Sequence, residues 1–499
     1  MSKTLNLLAI DLGAESGRVI LGRLCGSTLT MEEIHRFPNE PVQMGRHLYW
    51  DFPGLLREIK KGIRLGYQKA GGLDGMAVDT WGVDFGFLDS TGELLANPIH
   101  YRDRRTDGIF PRFFATVPRE EIYRQTGIQM MALNSSCQLM ALREENPRLL
   151  ESASDLLFTP GLLTYFLCGK KANDTTIAST SQLYNPVIHD WAYDLIKKLG
   201  LPAKLFTPTV QAGTILGVLT PEVASELGLD NKPGKEIQII AGAGHDTAAA
   251  VAAIPASEMP FAYISCGTWS LIGTELENPL INPQAESLNF TNEVGLNRRI
   301  RFLKNVTGLW LLQQCRQCWA KQGKTYDYAQ LAQMAAAVQP WQALVDPDDP
   351  AFLNPPDMLE AIGGYLQKTG QPIPETPGGF VCCIVESLAL KYWWVIERLE
   401  ELTGISFPNI HIVGGGIKNG LLCQLTADIT GKTVAAGPVE ATAIGNLLIQ
   451  ALALGEIPNQ EELRRIVRAA FPPRIYDPRS NQDFSAVKQR FIELVQLEK

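Results

Sequence analysis

The fold is decided near the N-terminus, by the stretch LLAIDLGAESGRVILG at residues 7–22. The apolar residues up to Ile10 predict a buried strand, the small residues around Gly13 predict a turn, and the run from Val19 predicts a second strand. The same order of elements returns in FAYISCGTWSLIGT at residues 261–274. Because the two hairpins begin about half a chain apart, the sequence predicts a duplicated domain.

Each half of the chain then alternates strand-like runs with amphipathic helical runs. The clearest strand-like runs are 75–79, 83–88 and 410–413, and the clearest helical runs are 55–66, 120–126, 388–402 and 461–470. Alternation of this kind predicts an α/β protein with helices on both faces of each sheet.

The length of 499 residues is too great for a single core, and roughly two or three domains are expected. Two prolines within residues 253–260 precede the second hairpin and indicate the boundary. We therefore expect an N-terminal domain at 1–253, a C-terminal domain at 254–485 and a C-terminal helix or tail at 486–499. A cleft between the two lobes would follow.

The composition excludes several classes of function. The 45 basic residues against 53 acidic ones leave a net charge of −8 with no long run of either sign, so a nucleic-acid partner is not expected. The first apolar run is cut by Asp11, which argues against a signal peptide, and we expect no apolar stretch long enough to span a bilayer. The nine scattered cysteines are typical of reduced core residues in a cytoplasmic protein. The one CxxC pair, Cys315 and Cys318, reads as part of a continuous helix, which favours packing over metal binding.

The most informative chemical feature is EIQIIAGAGHDTAAAV at residues 236–251. Its β-branched run predicts a strand, Gly242 and Gly244 predict a sharp turn, and the alanines predict a helix. Asp246 would then lie at a helix N-terminus, where backbone N–H groups attract phosphate and hold a carboxylate ionised. Two interpretations remain open at this point: Asp246 is a helix cap, or it is a carboxylate that does chemistry.

The first hairpin provides a second acidic residue. Asp11 ends the predicted strand and is followed by small residues whose N–H groups could face a polyphosphate. Since Mg²⁺ is usually held by one or two carboxylates together with phosphate oxygens, Asp11 and Asp246 are the candidate metal ligands. An Asx-turn is the structural alternative for Asp11. The repeated turn at residues 267–270 favours a two-hairpin phosphate clamp for ATP.

A third element, HIVGGGIKNG at residues 411–420, leaves a predicted strand through three glycines and enters a predicted helix. Three glycines allow a backbone to lie flat against a ligand, although a generic tight turn is the alternative. The stretch is not GxGxxG, and the chain has no GxxxxGK[ST], so a Rossmann dehydrogenase and a P-loop enzyme are both disfavoured.

With these elements in this order, the chain resembles the FGGY carbohydrate kinases, which have a duplicated ribonuclease-H-like fold, also called the actin-like ATPase fold, with a central cleft. The resemblance covers nearly the whole chain and is closest to the rhamnulokinase group. The segments that carry this closer resemblance are DTWGVDF at 79–85, YRDRRT at 101–106, NVTGLWLLQ at 305–313, QPIPE at 371–375 and CIVESLALKY at 383–392.

The resemblance implies an ATP- and Mg²⁺-dependent kinase that phosphorylates the terminal hydroxyl of a ketose, with L-rhamnulose as the first candidate and Asp246 as the proton acceptor. The residues it implies for ATP are Ala14, Glu15, Ser16, Gly17, Arg18, Thr268, Gln313 and Gly415. Those it implies for the sugar are Gly82, His245, Asp246, Thr247 and Asn305.

Two departures from the wider family pattern stand out. Gln138 occupies a position where many sugar kinases have lysine, and Cys266 one where serine is common within the rhamnulokinase group. Neither removes a catalytic group. The alternatives left open are another ketose (L-fuculose, ribulose or xylulose) and, in a different class, an actin-like ATPase or chaperone with no sugar acceptor. For a kinase we expect a small-molecule ketose as partner, no membrane, and a monomer or homodimer.

Overall fold

The structure is a computed structural model and describes residues 4–229, 236–479 and 482–496. Two compact units make up the chain, and neither is continuous in sequence. Unit 1 comprises the residues up to Ser257, Glu275–Phe302 and Ala441–Phe471. Unit 2 comprises Glu258–Thr274, Leu303–Glu440 and the residues from Pro472 onward.

These units differ from the single division at 253/254 expected from the sequence. The segment Ala441–Phe471 belongs to unit 1 because its first helix, Ala441–Ala453, packs on the sheet that contains the first hairpin. There, Leu447 fills the space beside Gly22, and the Gln450 side chain donates a hydrogen bond to the Leu8 carbonyl at 3.0 Å. The expected tail at 486–499 groups with unit 2 over its described part, and residues 497–499 lie outside the described residues.

The main strands of unit 1 form a six-stranded sheet. They are β1 Thr4–Leu12, β2 Ser16–Cys25, β3 Thr28–Pro38, β4 Gly75–Thr80, β5 Thr214–Val218 and β6 Gln238–Ala241. Their order across the sheet is β5-β6-β4-β1-β2-β3. Strands β1 and β2 form the predicted antiparallel hairpin, β1, β4 and β6 run parallel, and β5 is antiparallel to β6.

A second sheet has seven strands and repeats this arrangement. They are β7 Ala262–Cys266, β8 Trp269–Leu276, β9 Thr291–Val294, β10 Ile300–Thr307, β11 Asn409–Val413, β12 Thr433–Ala436 and β13 Arg474–Tyr476. The order is β9-β10-β8-β7-β11-β12-β13. Again a hairpin, β7–β8, is followed by two parallel strands, β11 and β12, and by an antiparallel edge strand. The repeated topology confirms the predicted duplication.

Most of the labelled helices lie between these strands in the chain, and the last one follows β13. They are α1 Phe52–Ala70, α2 Ser135–Glu145, α3 Thr159–Cys168, α4 Asp246–Ala252, α5 Trp310–Lys321, α6 Pro377–Thr403, α7 Gly420–Thr430, α8 Ala441–Ala453, α9 Gln460–Ala470 and α10 Ser485–Gln496. The other α-helices of the described residues occupy Phe110–Thr116, Arg119–Thr126, Pro147–Ser152, Thr175–Ala178, Tyr193–Lys198, Pro221–Leu227, Pro283–Ser287, Tyr328–Ala336 and Met358–Lys368. Short strands outside the two sheets occupy Val42–Met44, His47–Tyr49, Phe85–Leu88, Asp155–Phe158, Asn173–Asp174, Tyr184–Asn185, Asp190–Trp191 and Thr209–Val210.

The core of unit 1 lies on both faces of its sheet, because alternate side chains of β1 point in opposite directions. Leu8 and Ile10 pack in a cluster with Ile59 and Ile63 of α1. Leu7 belongs to a separate cluster with residues of α4 and α8. Helices therefore cover both faces, as predicted, and the parallel strands β1, β4 and β6 end at one edge of the layer.

Helix α6 corrects the expectation that no apolar stretch reaches bilayer length. It has 27 residues, and by length and composition alone it is apolar enough to cross a membrane. However, 83 % of its most apolar window is buried within the structure. That burial is typical of a core helix, and it is the one described helix that meets the length and composition test.

Glu386, on α6, gives a prediction about stability and pH. Its carboxylate is buried and accepts the Trp341 backbone N–H at 3.0 and 2.9 Å, and burial raises its pKa to about 7. The folded protein therefore holds this proton to higher pH than the unfolded chain. The free energy of unfolding should fall by up to about 3 kcal/mol from this group as the pH rises from about 4.5 to about 7.

Glu386→Gln should remove that fall and leave the variant more stable than the original chain at pH 8. Denaturant unfolding of both proteins at a series of pH values measures the difference. If the free energy of unfolding changed with pH in the same way for both proteins, the raised pKa would not belong to Glu386.

Candidate active site

Three carboxylates lie at the carboxyl ends of neighbouring parallel strands. Asp11 of β1 and Asp79 of β4 are register partners. Strand β6 then leads into the turn before Asp246, and the Thr80 N–H donates to the Gly244 carbonyl of that turn at 2.8 Å. The pKa of Asp79 is raised well above its ordinary value because the carboxyl is fully buried and because Asp11 and, less strongly, Asp246 add negative charge. The fold therefore concentrates acidic oxygens at this edge.

Asp246 is the first residue of α4, and His245 occupies the N-cap position without a capping side-chain hydrogen bond. One carboxylate oxygen of Asp246, Oδ1, accepts the backbone N–H and the hydroxyl of Thr247. The other oxygen, Oδ2, accepts no hydrogen bond from the described residues, and the side chain is 30 % exposed. Capping and chemistry are thus compatible, because each uses a different oxygen.

The two neighbours of Asp246 named from the sequence are buried beside it. His245 is 7 % exposed and Thr247 is 5 % exposed. The backbone N–H of His245 donates to the hydroxyl of Thr176 at 3.2 Å, and its Nε2 lies 3.5 Å from Oδ1 of Asp246. These contacts hold the imidazole next to the carboxylate.

Gly82 lies in a strained turn that leaves β4. The next residue, Val83, has φ of 67°, which is unfavourable for a β-branched side chain. The Val83 N–H is held by the hydroxyl of Thr180 at 3.1 Å, and a side chain at position 82 would meet the same threonine at 3.2 Å. Strain of this kind persists only where the surroundings impose it, which marks the turn as a functional candidate.

Asp84 anchors this turn through a buried network. Its carboxylate accepts the indole N–H groups of Trp50 and Trp81 at 2.7 and 2.9 Å and the amide of Gln138 at 3.1 Å. Burial raises the pKa of Asp84 to about 6, against these hydrogen bonds. The rings of Trp50 and Trp81 lie 4.0 Å apart, so Trp81 has a structural role in supporting Gly82.

The same network explains the departure at Gln138. Its amide oxygen accepts a hydrogen bond from Arg105, while its amide nitrogen donates to Asp84 and to the Leu133 carbonyl. The Arg105 side chain is only 3 % exposed. A lysine at position 138 would bring a second cation against that buried guanidinium, which the neutral amide avoids.

The first hairpin turn carries the five residues named for the nucleotide, Ala14 to Arg18. The Gly13 N–H donates to the Ser16 carbonyl at 3.0 Å, and the Asn39 N–H donates to the Glu15 carbonyl at 3.0 Å. At Gly17 a Cβ would lie 2.3 Å from the Phe37 ring, so glycine is required there. Arg18 forms an ion pair with Asp11 across the base of the hairpin.

The second hairpin turn lies in unit 2 and brings Thr268 close to the helix that carries Gln313. The Thr268 carbonyl accepts the N–H groups of Gly308 at 3.1 Å and Trp310 at 3.2 Å, and Trp310 begins α5. Gln313 lies one turn into this helix. Its side-chain oxygen is buried without a hydrogen-bond partner among the described residues.

The triple-glycine turn contacts the second hairpin through Cys266. At Gly416 a Cβ would lie 2.0 Å from the Cys266 sulfur, and at Gly414, where φ is 88°, it would lie 2.9 Å from the Cys266 carbonyl oxygen. Gly415, between them, is exposed and has open space around its Cα. The two outer glycines therefore serve packing, and the middle one is left accessible. Cys266 is buried and part of that packing.

The remaining predictions are distributed as follows. Asn305 is half-buried on β10 and falls in unit 2, whereas Gly82, His245 and Thr247 fall in unit 1. Cys315 and Cys318 are both buried in α5, as the predicted continuous helix requires.

Three residues of the site were not identified from the sequence as functional. Asp79 appeared in a predicted strand and in a family motif but was given no role, although its place at the end of a buried strand repeats that of Asp11 and was a usable signal. Glu293 and Arg301 contact His245 and are buried. Charged residues in short strands normally indicate a solvated face, so no local pattern marked these two.

Family models and curated relatives match most of the chain. The N-terminal domain model of the FGGY family of carbohydrate kinases matches residues 6–253, and the C-terminal domain model of that family matches 262–454. A curated rhamnulokinase of Bacteroides thetaiotaomicron is 44% identical over 487 residues, covering 98% of both chains. The rhamnulokinase of Bacillus subtilis is 39% identical over 491 residues and also covers 98% of both.

Among solved structures, ligand-bound xylulose kinase from Lactobacillus acidophilus superposes with a TM-score of 0.80 at 16% identity. It covers 99% of this chain and 97% of that one. This likeness establishes the fold, which is two duplicated ribonuclease-H-like domains of the actin-like ATPase class. Together with the matches over almost the whole length, it leads to one conclusion: the chain belongs to the FGGY family of carbohydrate kinases.

Proposed function

We propose that this protein is an ATP-dependent kinase that transfers the γ-phosphoryl group of ATP to the terminal hydroxyl of L-rhamnulose, giving L-rhamnulose 1-phosphate and ADP. Two curated rhamnulokinases similar to this chain over 98% of its length support the choice of sugar. The observation that carries the chemistry is the Asp246 carboxylate, with one oxygen tied to Thr247 and the other open.

Asp246 is the base of the proposed reaction. The hydroxyl oxygen of the sugar forms a bond to the γ-phosphorus, while the bond from the γ-phosphorus to the bridging β–γ oxygen breaks. Oδ2 of Asp246 accepts the proton that this hydroxyl loses. Phosphoryl transfer passes through a loose transition state, so the proton leaves late and an ordinary carboxylate is basic enough. Thr247 keeps Oδ1 occupied and so orients the carboxylate.

The nucleotide is assigned to the two hairpins and the triple-glycine turn. In the first hairpin the contacts would come from Ala14, Glu15, Ser16, Gly17 and Arg18. In unit 2 they would come from Thr268, Gln313 and Gly415. The unpaired buried oxygen of Gln313 and the open space at Gly415 support this assignment, because buried polar atoms and bare backbone are suited to a ligand.

A magnesium ion fits the donor set at the strand ends. Asp11 and Asp246 offer carboxylate oxygens, which Mg²⁺ prefers, and their negative charge adds to burial in raising the pKa of Asp79. Within the described ranges, no group of three or more His, Cys, Asp or Glu residues forms a metal site made by the protein alone. The proposed ion would therefore be held by one or two carboxylates together with phosphate oxygens. When bound, the ion neutralises phosphate charge. Asp11 would exchange its ion pair with Arg18 for the metal.

The ketose is assigned to Gly82, His245 and Thr247 of unit 1, of which His245 and Thr247 flank the base, and to Asn305 of unit 2. Gly82 would contact the sugar through its backbone, in a turn that the hydrogen bonds to Asp84 hold in place. His245 has a ring nitrogen beside Asp246. We further propose that the enzyme acts in the cytoplasm as a monomer or homodimer. The nine cysteines, eight of them buried, are all free thiols, which supports a reducing compartment.

A ketose panel tests the substrate. With L-rhamnulose, L-fuculose, D-ribulose and D-xylulose, kcat/KM should be highest for L-rhamnulose, because a missing or misplaced hydroxyl leaves buried polar groups unpaired. The others should fall by roughly 10-fold to more than 10³-fold. A higher kcat/KM for another ketose would reassign the substrate within the kinases.

The same panel tests the rival class of function. ATP turnover should depend on added ketose. Equal ATP hydrolysis with and without every sugar would favour an actin-like ATPase and contradict a sugar kinase.

A further inference from the structure

A buried ion pair lies in contact with His245. Arg301, on β10, is fully buried, and Glu293, on β9, is 4 % exposed. The Arg301 nitrogen Nη2 is 3.0 Å from a Glu293 carboxylate oxygen and 3.0 Å from Nδ1 of His245. The same guanidinium also donates to the Val294 carbonyl at 3.3 Å. Since burying a guanidinium is costly, a placement this specific calls for an explanation beyond packing.

The chemistry of the guanidinium decides where His245 carries its proton. Arginine stays protonated and can only donate, so the nitrogen 3.0 Å from it, Nδ1, must accept. A neutral imidazole has one accepting nitrogen, and its proton is therefore on Nε2. Glu293 is also near Nδ1, at 3.4 Å, but its charge is already balanced by the closer Arg301.

The protonated nitrogen then faces the catalytic carboxylate. Nε2 of His245 lies 3.5 Å from Oδ1 of Asp246. The backbone N–H of His245 is held by Thr176 at 3.2 Å, so the residue is fixed at its main chain as well as at Nδ1. The arrangement leaves one N–H donor beside Asp246.

We propose that Arg301, together with Glu293, is a positioning residue that fixes His245 as the Nε2–H tautomer, so that the imidazole donates a hydrogen bond to an oxygen of the bound ketose beside Asp246. The opposite tautomer would turn a lone pair toward that oxygen and could not donate to it. The role of the sugar in this statement rests on the proposed function, whereas the tautomer itself does not.

The tautomer is measured directly by ¹⁵N NMR of the full-length protein labelled at histidine, without sugar or nucleotide. The chain has only six histidines, and His245→Gln identifies the relevant signals. We expect a protonated Nε2 and an unprotonated Nδ1 on His245 near neutral pH. A proton on Nδ1 would overturn the proposal, whatever the substrate is.

Two variants test the role of Arg301. Arg301→Met should lower kcat/KM for the ketose by roughly 10-fold to 100-fold, leave KM for ATP unchanged and move the proton to Nδ1, where Glu293 can accept it. Arg301→Lys should keep the Nε2–H tautomer and most of the activity, because an ammonium group also donates. Wild-type tautomer and kcat/KM in Arg301→Met would refute the positioning role and leave the kinase assignment intact.

A matched control comes from another buried pair in unit 1, Arg464 with Glu275, which are 8 % and 3 % exposed. Arg464→Met should lose stability as Arg301→Met does, but should keep the His245 signals of the original protein. A shift of those signals in Arg464→Met would reveal a general structural effect and count against the proposal. If Arg301→Met does not fold, the proposal is still tested by the ¹⁵N spectrum of the unmodified protein and by the tautomer and activity of Arg301→Lys. If another ketose proves to be the substrate, the same variants are assayed with it.

Discussion

Asp246→Asn is expected to lower kcat by roughly 10²-fold to 10⁴-fold while leaving the binding of ATP and sugar nearly unchanged. The substitution keeps the shape of the side chain and an oxygen for Thr247, but it removes the open carboxylate oxygen that we propose as the proton acceptor. Steady-state kinetics with L-rhamnulose, together with calorimetric titration of sugar and nucleotide, measure the two effects separately.

The control for Asp246→Asn must separate catalysis from helix capping. Asp357 caps the helix Met358–Lys368 by accepting the N–H groups of Leu359 at 2.8 Å and Glu360 at 3.1 Å, and it belongs to unit 2. Asp357→Asn should change stability by only a few tenths of a kcal/mol and leave turnover intact, because asparagine caps nearly as well. Near-normal turnover in Asp246→Asn would disprove the assignment of the base.

Gly445→Ala is expected to destabilise unit 1 by about 1–3 kcal/mol and to lower kcat/KM by up to about 100-fold. Gly445 lies on α8, and a Cβ there would be 1.9 Å from the Ala249 carbonyl oxygen and 2.6 Å from its carbonyl carbon. Those atoms belong to the backbone of α4, so a helix must move. Asp246 begins α4, and a small displacement of the base from the reacting hydroxyl lowers the rate.

Gly364→Ala provides the comparison, because Gly364 is also inside a helix but is exposed, with no atom near the position of its Cβ. Alanine should raise stability there by about 1 kcal/mol, since it favours helix more than glycine does. Denaturant unfolding of both variants measures the change in stability, and steady-state kinetics measure the change in kcat/KM. If Gly445→Ala matched Gly364→Ala in stability and activity, the close approach of α8 to α4 would not be needed for either, and the prediction would be wrong.

Much of the fold was predictable because its signals are local. The hairpin at residues 7–22 and its repeat at 261–274 were recognisable from apolar runs, small residues and a turn, and both form as antiparallel pairs. The strand, turn and helix around Asp246 were recognisable in the same way. What the local pattern missed was the return of Ala441–Phe471 to unit 1, because a helix does not encode which sheet it will cover.

The candidate site divides along the same line. Gly82 was named through the family resemblance, whereas Asp11 and Asp246 were accessible from the local sequence because one ends a strand and the other begins a helix. The roles of neighbours such as Gln138 were not, since its network links α2 with Asp84, which is 54 residues away. Likewise, nothing near Cys266 in sequence indicated that Gly414 and Gly416 pack against it.

By itself, then, the sequence determined the duplicated α/β plan, the two glycine-containing hairpins and the place of the Asp246 carboxylate at a helix start, because strands, turns and helix starts depend on residues a few positions apart. Only the tertiary structure decided which groups surround that carboxylate. Asn446 holds Asp79 across 367 positions, and Arg301 reaches His245 across 56. Contacts over such distances arise from packing, in which a buried charge must find a partner wherever the fold supplies one.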